Sequence, residues 1–353
     1  DELGKAYYGD VAAIISILGI VAIVQLALGL TIVKFIASTK SLKKIKNLVR
    51  WVNWWSIWLG VAVGLVMLVL APFLSRFFNI QQPLAVYLMA PVLIFYIIVT
   101  SYRSILQGLF LFNRYVISLL VEAVVKIILT VAFISLGFAV FGTIGAVLIS
   151  AVLGLIIARI FLSKYIIGRL GKRPEIGPMF KYSVPVLLQG LALTSFYSTD
   201  LLLVKHFFSP EEAGIYASLA ILGRVVFFGS SPVTHVMFPL IAKRHSHGEA
   251  YHNIFYLSVL FVAGISLAAV LFYFLFPSIP ILILYGTSYL TGAPMLWLFG
   301  IFMLLLALDM LFTQFYLSIG KTRIVWLFVA AALLQFILIW FLHSSLLVVI
   351  QLS

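Results

Sequence analysis

Long apolar runs, broken at intervals by Gly, Pro or charged residues, set the pattern of this chain. Ten of them reach the roughly 20 residues that one helical bilayer crossing requires. They cover about residues 11–33, 52–74, 84–106, 116–138, 144–165, 182–204, 214–238, 254–276, 294–317 and 324–342. An eleventh starts at Leu346 and stops at Ser353. No segments of about 10 residues with alternating polarity, the mark of a membrane β-barrel, compete with this reading. In lipid the backbone must satisfy its own hydrogen bonds, and continuous apolar runs of this length do so as helices. The pattern predicts an all-α, polytopic membrane protein without a soluble domain.

Composition agrees: of 353 residues, 64% are hydrophobic and 9% charged, against about 45–50% and about 25% in ordinary soluble domains. The absence of Cys excludes disulfides, iron–sulfur clusters and thiolate zinc sites. A formal charge of +13 raises the question of nucleic acid, and the positions of the cations answer it. Loops carry them alternately, so that 18 of the 23 Lys and Arg fall on one face and Lys5, Arg76 and Lys205 on the other. Such an asymmetry places the basic face in the cytoplasm of a cell's inner membrane. The high pI then reflects topology and contact with membrane lipids, with no nucleic-acid partner.

An offset of 205 residues aligns Gly9 with Gly214, Ala12 with Ala217, Ile36-Ala37 with Ile241-Ala242, and Leu70-x-Pro72 with Leu275-x-Pro277. At face value, residues 1–170 and 171–353 are two six-helix bundles about a pseudo-twofold along the membrane normal, with a binding site between them. On this count the first helix of the first bundle and the end of the last helix of the second lie outside the chain. The loop from Lys164 to Lys181 joins the halves.

Certain stretches carry a more specific likeness. Leu3-Gly4-Lys5-Ala6-Tyr7-Tyr8-Gly9 precedes a helix. Tyr182-Ser183-Val184-Pro185, Ser198-Thr199-Asp200 and Ala213-Gly214-Ile215-Tyr216-Ala217 follow in order. Further on come Tyr285-Gly286-Thr287-Ser288-Tyr289-Leu290, Ala293-Pro294-Met295-Leu296 and Ile319-Gly320-Lys321. Their order and spacing resemble the polysaccharide transporter family, the Wzx-type flippases, in the superfamily that includes the multidrug and toxin extruders. The resemblance implies transport of an undecaprenyl-diphosphate-linked oligosaccharide, an O-antigen or other surface-polysaccharide repeat unit, toward the outer leaflet. It also implies partnership with polysaccharide polymerase and glycosyltransferases.

Carrying a diphosphate and sugars through a bilayer requires a wet cavity with fixed cations. Arg224 and Lys126, each deep within a predicted helix, are the candidates for the diphosphate. The plainer alternative for Arg224 is an ion pair with Asp200 or Asp309, and for Lys126 a pair with Glu122 four residues earlier on one helix face. Arg103, near a cytoplasmic helix end, is placed to meet the headgroup or to anchor the helix. Tyr197, with Tyr102, Tyr216 and Trp297, can stack on sugars or simply face lipid or core. Asp309, Asp200 and Glu122 are the candidates for ion coupling through Na⁺ or H⁺; no other cofactor and no metal is expected. For Asp200, snorkelling or helix packing is the alternative.

Pro91, Pro185 and Pro232 are expected to interrupt helices, and Gly60-Val61-Ala62-Val63-Gly64 to allow close helix packing. His245-x-His247 is a weak metal spacing. With no nucleotide cradle, Ser/His/Asp set or metal cluster, an enzyme is not expected. The alternative function is a multidrug or toxin antiporter of the same architecture.

Overall fold

The computed structural model describes residues 4–77 and 83–353. These residues are helical, without strands. Nine of their helical stretches are long and apolar enough to cross a membrane, and Ala22–Ala37 is a shorter apolar piece of helix α1 (Gly4–Ala37). The chain is a multi-pass membrane protein of the predicted class.

The chain divides into two compact units, Asp1–Ser183 and Val184–Ser353. The first contains α1, α2 (Leu42–Phe77), the single turn α3 (Pro83–Tyr87), α4 (Met89–Gly108), α5 (Phe112–Ser135), α6 (Ala139–Ile166) and the start of α7 (Ile176–Phe196). The second contains the rest of α7, α8 (Thr199–Phe207), α9 (Pro210–His247), α10 (His252–Leu275), α11 (Ser278–Tyr285), a 3₁₀ segment (Thr287–Met295), α12 (Leu296–Ser318), α13 (Ile324–Phe341) and α14 (Leu346–Leu352). Helices α9, α10, α12, α13 and α14 begin 206 to 212 residues after α1, α2, α4, α5 and α6 respectively. The sequence offset of 205 is thus matched by the succession of elements.

The boundary falls 13 residues after the expected junction at 170, because the connector between α6 and α7 is bound to α2. Arg50 donates to the carbonyls of Ile167 (2.8 Å) and Arg169 (2.9 Å). Asn47 donates to Lys172 O (2.7 Å) and accepts from Gly171 N (2.9 Å). Further along, the Tyr182 ring meets Phe35 edge-on and lies under the Lys34 ammonium.

Each unit wraps apolar helices around a buried one. In the first, α4 packs against α1, α2 and α6, burying Met89, Val92, Leu93, Ile105 and Leu106. In the second, α12 packs against α9 and α10, burying Leu296, Phe299 and Leu311. Glycines set the spacing. A Cβ on Gly60 of α2 would lie 3.0 Å from the backbone carbonyl oxygen of Ile94 in α4, and one on Gly64 would meet the Ile94 side chain. The small-residue stretch therefore lets the α2 and α4 backbones touch.

The three prolines singled out in the sequence lie within helices. Pro91 is the third residue of α4, in the first turn, where N–H groups lack intrahelical acceptors anyway. Pro185 and Pro232 lie inside α7 and α9. The carbonyl of Phe228, which Pro232 cannot reach, accepts instead from Ser231 Oγ at 2.9 Å, one of the ways transmembrane helices accommodate proline.

Gly60→Leu should force α2 and α4 apart and destabilise the protein by about 1–3 kcal/mol. A thermal unfolding midpoint in detergent several degrees below that of the wild type would register it. Gly264→Leu, where a Cβ meets no neighbour, should leave the midpoint nearly unchanged.

Candidate functional site

Arg224 is carried by α9, whose ends are strongly specified. Ser209 Oγ accepts from Glu212 N (3.3 Å) while Glu212 Oε2 accepts from Ser209 N (3.1 Å), a reciprocal cap that satisfies two free N–H groups. Pro210 opens the helix, Glu211 and Glu212 sit at its positive end, and Arg244, His245 and His247 at its negative end. Gly248 closes it with φ 74°, a conformation that costs glycine little. Arg224 lies 14 residues along, or ~21 Å at 1.5 Å per residue. Its rotation about the axis is set by its neighbours. Gly223 approaches Phe299 of α12 so closely that a Cβ there would lie 2.5 Å from the ring. Leu222 O accepts from Tyr273 of α10 at 2.8 Å.

The half-buried Arg224 side chain reaches the end of α7. Helix α7 stops at Phe196 and α8 resumes at Thr199, which frees carbonyls among buried side chains. Two are met by side chains from other helices: Gln335 Nε2 of α13 donates to Phe196 O at 3.1 Å, and Arg224 Nη2 to Tyr197 O at 2.7 Å. The Arg224 guanidinium also lies over the Tyr197 ring, 5.3 Å from its centroid. Among the described residues Arg224 makes no salt-bridge contact with a carboxylate, although the buried Asp200 is near enough to feel its charge.

Asp200, in the first turn of α8, is 1% exposed and accepts from Tyr216 OH of α9 at 2.7 Å. Its other carboxylate oxygen is buried with no hydrogen-bond partner among the described residues. It therefore packs inside the unit and does not snorkel. Tyr216, wholly buried and edge-on to Phe299, cannot stack on a sugar in this arrangement. Trp297 is half-buried against Phe274. Asp309 of α12 is exposed in a cavity of about 370 Å³ whose walls are mainly apolar and include Phe196, Phe302 and Leu305.

In the first unit, Arg103 of α4 and Glu122 of α5 are expected to be a headgroup contact and a coupling carboxylate; here each is the other's partner. Arg103 Nη2 lies 2.7 Å from Glu122 Oε2, and both side chains are about 10% exposed. Arg103 also donates to Ser118 Oγ (3.0 Å) and Ser118 O (2.7 Å), while Ser118 Oγ donates to Gly154 O (3.0 Å) of α6. A Cβ on Gly154 would come within 2.7 Å of Arg103 Nη2, so the ion pair fits only because residue 154 has no side chain. Lys126, a candidate for the diphosphate whose plainer alternative is a pair with Glu122, is half-buried and forms no ion pair among the described residues. Tyr102 is 1% exposed; its hydroxyl donates to Asn53 Oδ1 and accepts from Arg159 Nη1 at 3.1 Å. It too is unavailable to sugars.

His245 and His247 part company: the first packs on Tyr251 and the second lies 2.8 Å from Lys243 O through Nδ1. Among the described residues no group of three or more His, Asp or Glu could hold a metal. Residues that the sequence reading passed over are Gln335, Ser118, Gly154, Asn53 and Arg159. Gln335 carried a visible signal, a lone amide within an otherwise apolar helix.

A family model described as a polysaccharide biosynthesis protein matches residues 3–294. No curated protein matches the sequence. Solved structures share the fold at low identity. An outward-facing multidrug resistance MATE family transporter of the MOP superfamily is 19% identical with TM-score 0.81, over 99% of this chain and 83% of that one. A MATE in complex with MaD5 is 18% identical with TM-score 0.87, over 99% and 84%. A MOP superfamily transporter from Pyrococcus furiosus, described as having a binding pocket of reverse polarity, is 18% identical with TM-score 0.81, over 99% and 84%.

Removing one member of a buried ion pair leaves the other uncompensated, at a cost of about 3–5 kcal/mol. Glu122→Ala should therefore lower the thermal unfolding midpoint in detergent by roughly 10 °C. Arg103→Met combined with Glu122→Leu should recover most of that loss.

Proposed function

This chain belongs to the polysaccharide biosynthesis protein family, and we propose that it is a flippase for undecaprenyl-diphosphate-linked oligosaccharide, working by alternating access. The observation that carries the reading is Arg224: a cation deep in a membrane helix, held by a carbonyl and an aromatic face, with no carboxylate partner among the described residues. Ionisable groups at membrane depth are costly and are retained mainly for function. An arginine fixed in plane by Tyr197 retains N–H donors for a second acceptor, and paired phosphate oxygens match that fork. An arginine with no carboxylate in salt-bridge contact disfavours an organic cation, which argues for an anionic cargo.

In this proposal Arg224 grips the diphosphate, and Tyr197 orients the guanidinium and offers its ring edge to the first sugar. Asp309, open to a cavity, binds Na⁺ or a proton and biases the inward and outward states, since a ligand shifts that equilibrium only by binding one state better. Asp200 supports it through α8. Arg103 and Glu122 are assigned to the scaffold. The lipid tail stays in the bilayer, glycosyltransferases supply the cargo at the basic, cytoplasmic face, and a polymerase consumes it beyond the other.

A multidrug antiporter is the second reading. It is favoured by the Asp309 cavity, whose apolar walls and single carboxylate suit a hydrophobic cation.

Complementation of a flippase-deficient strain by the full-length gene separates the two. The wild type should restore surface polysaccharide, Arg224→Ala should fail, and Arg224→Lys should retain partial function. Full activity of Arg224→Ala removes that residue from the mechanism. Drug resistance without complementation would favour the antiporter. Under the flippase reading, Asp309→Asn should reduce transport at least tenfold in vesicles energised by an ion gradient, with cargo binding retained.

A further inference from the structure

The basic end of the first unit holds an apolar slot of about 230 Å³ between α1, α2, the connector and the start of α7. Its walls include Trp51, Trp55 and Leu59 of α2. Four hydroxyl residues also line it, but each is already satisfied within its own helix: Thr31 on Ala27 O, Ser56 on Asn53 O, Ser101 on Ile97 O and Ser183 on Phe180 O, at 2.8 to 3.0 Å. The lining thus offers hydrocarbon contact and no unpaired donor.

Around this slot the aromatic and charged residues are those of a membrane interface. Trp51, Trp54, Trp55 and Trp58 form a contiguous edge-to-face and tilted cluster, and such rings favour headgroup depth. The connector is stitched beside the first turns of α2 by Asn47, Arg50 and by Trp51 Nε1, which donates to Gly171 O at 3.2 Å. These bonds lay the connector, which carries Arg169, Lys172 and Arg173, beside the first turns of α2, which carry Lys43, Lys44 and Lys46. Glu175 is the acidic residue in these two segments. The Arg173 guanidinium lies over the Trp55 ring, 5.7 Å from its centroid, and Trp55 is itself a wall of the slot.

We propose that this slot binds one anionic phospholipid, an acyl chain lying between α1 and α2 and the headgroup phosphate held by Arg173 and Lys172. Charge complementarity selects an anionic over a zwitterionic lipid. The site is independent of the flippase reading, since its residues are separate from Arg224 and Asp309.

Native mass spectrometry of the full chain in mild detergent tests it, with phosphatidylglycerol, phosphatidylcholine of the same acyl chains, and undecaprenyl phosphate as probes. Wild-type protein should retain one phosphatidylglycerol with at least tenfold preference over phosphatidylcholine. Lys172→Ala with Arg173→Ala should weaken it about 25-fold, about fivefold for each cation. Leu59→Trp should lower occupancy by filling the slot, and lipid-free unfolding midpoints equal to the wild type would show that both variants fold. Equal binding of the two phospholipids, or unchanged occupancy in both variants, overturns the proposal. So does displacement of phosphatidylglycerol by equimolar undecaprenyl phosphate, which would assign the slot to cargo.

Discussion

In a bilayer no water is at hand for a stray carbonyl, and that constraint organises the second unit. The chain breaks its helix between Phe196 and Thr199, and the break survives because Gln335 and Arg224 cover the carbonyls it frees. Arg224 therefore does two things at once. It completes the backbone of a neighbouring element, and it is itself immobilised by doing so. A guanidinium tethered through one N–H and laid on an aromatic face loses little further freedom when it meets an anion. The same break starts α8 at the right place for Asp200 to take the Tyr216 hydroxyl, so a backbone defect and a polar cluster are one feature.

The first unit answers a similar demand differently. Its polar residues sit inside continuous helices, so they are neutralised across helices. Arg103 meets Glu122 and Ser118 where Gly154 leaves room, and Asn53, Tyr102 and Arg159 form a second chain of contacts. The two units share a succession of elements but differ in their polar interiors: in the first Arg103 is salt-bridged to Glu122, and in the second Arg224 is held by a carbonyl and a ring with no carboxylate in contact among the described residues.

Helices were legible in the sequence because lipid permits almost no other reading of runs this apolar, and the close approach at Gly60 and Gly64 followed from side-chain size alone. The break after Phe196 was not legible. Phe-Tyr-Ser contains neither Gly nor Pro, and the side chains that support it come from α9 and α13, far along the chain. How proline is accommodated was equally hidden: Ser231 and the first turn of α4 absorb what it removes. Pairing shows the same limit. The spacing of Glu122 and Lys126 is visible in one helix, whereas the Arg103 contact depends on how α4 meets α5. Arg224 stood out because a charge in an apolar run is rare in any context, while the burial of Tyr102 and Tyr216 depends on packing that no single helix specifies.

The missing side chain at Gly154 has a mechanical consequence. Salt-bridged atoms fill the slot it leaves, so α6 is clamped to α4 and α5 through Ser118, and sliding any one of the three would bare charge to hydrocarbon. A rearrangement of this unit that keeps the ion pair covered has to carry those three helices together.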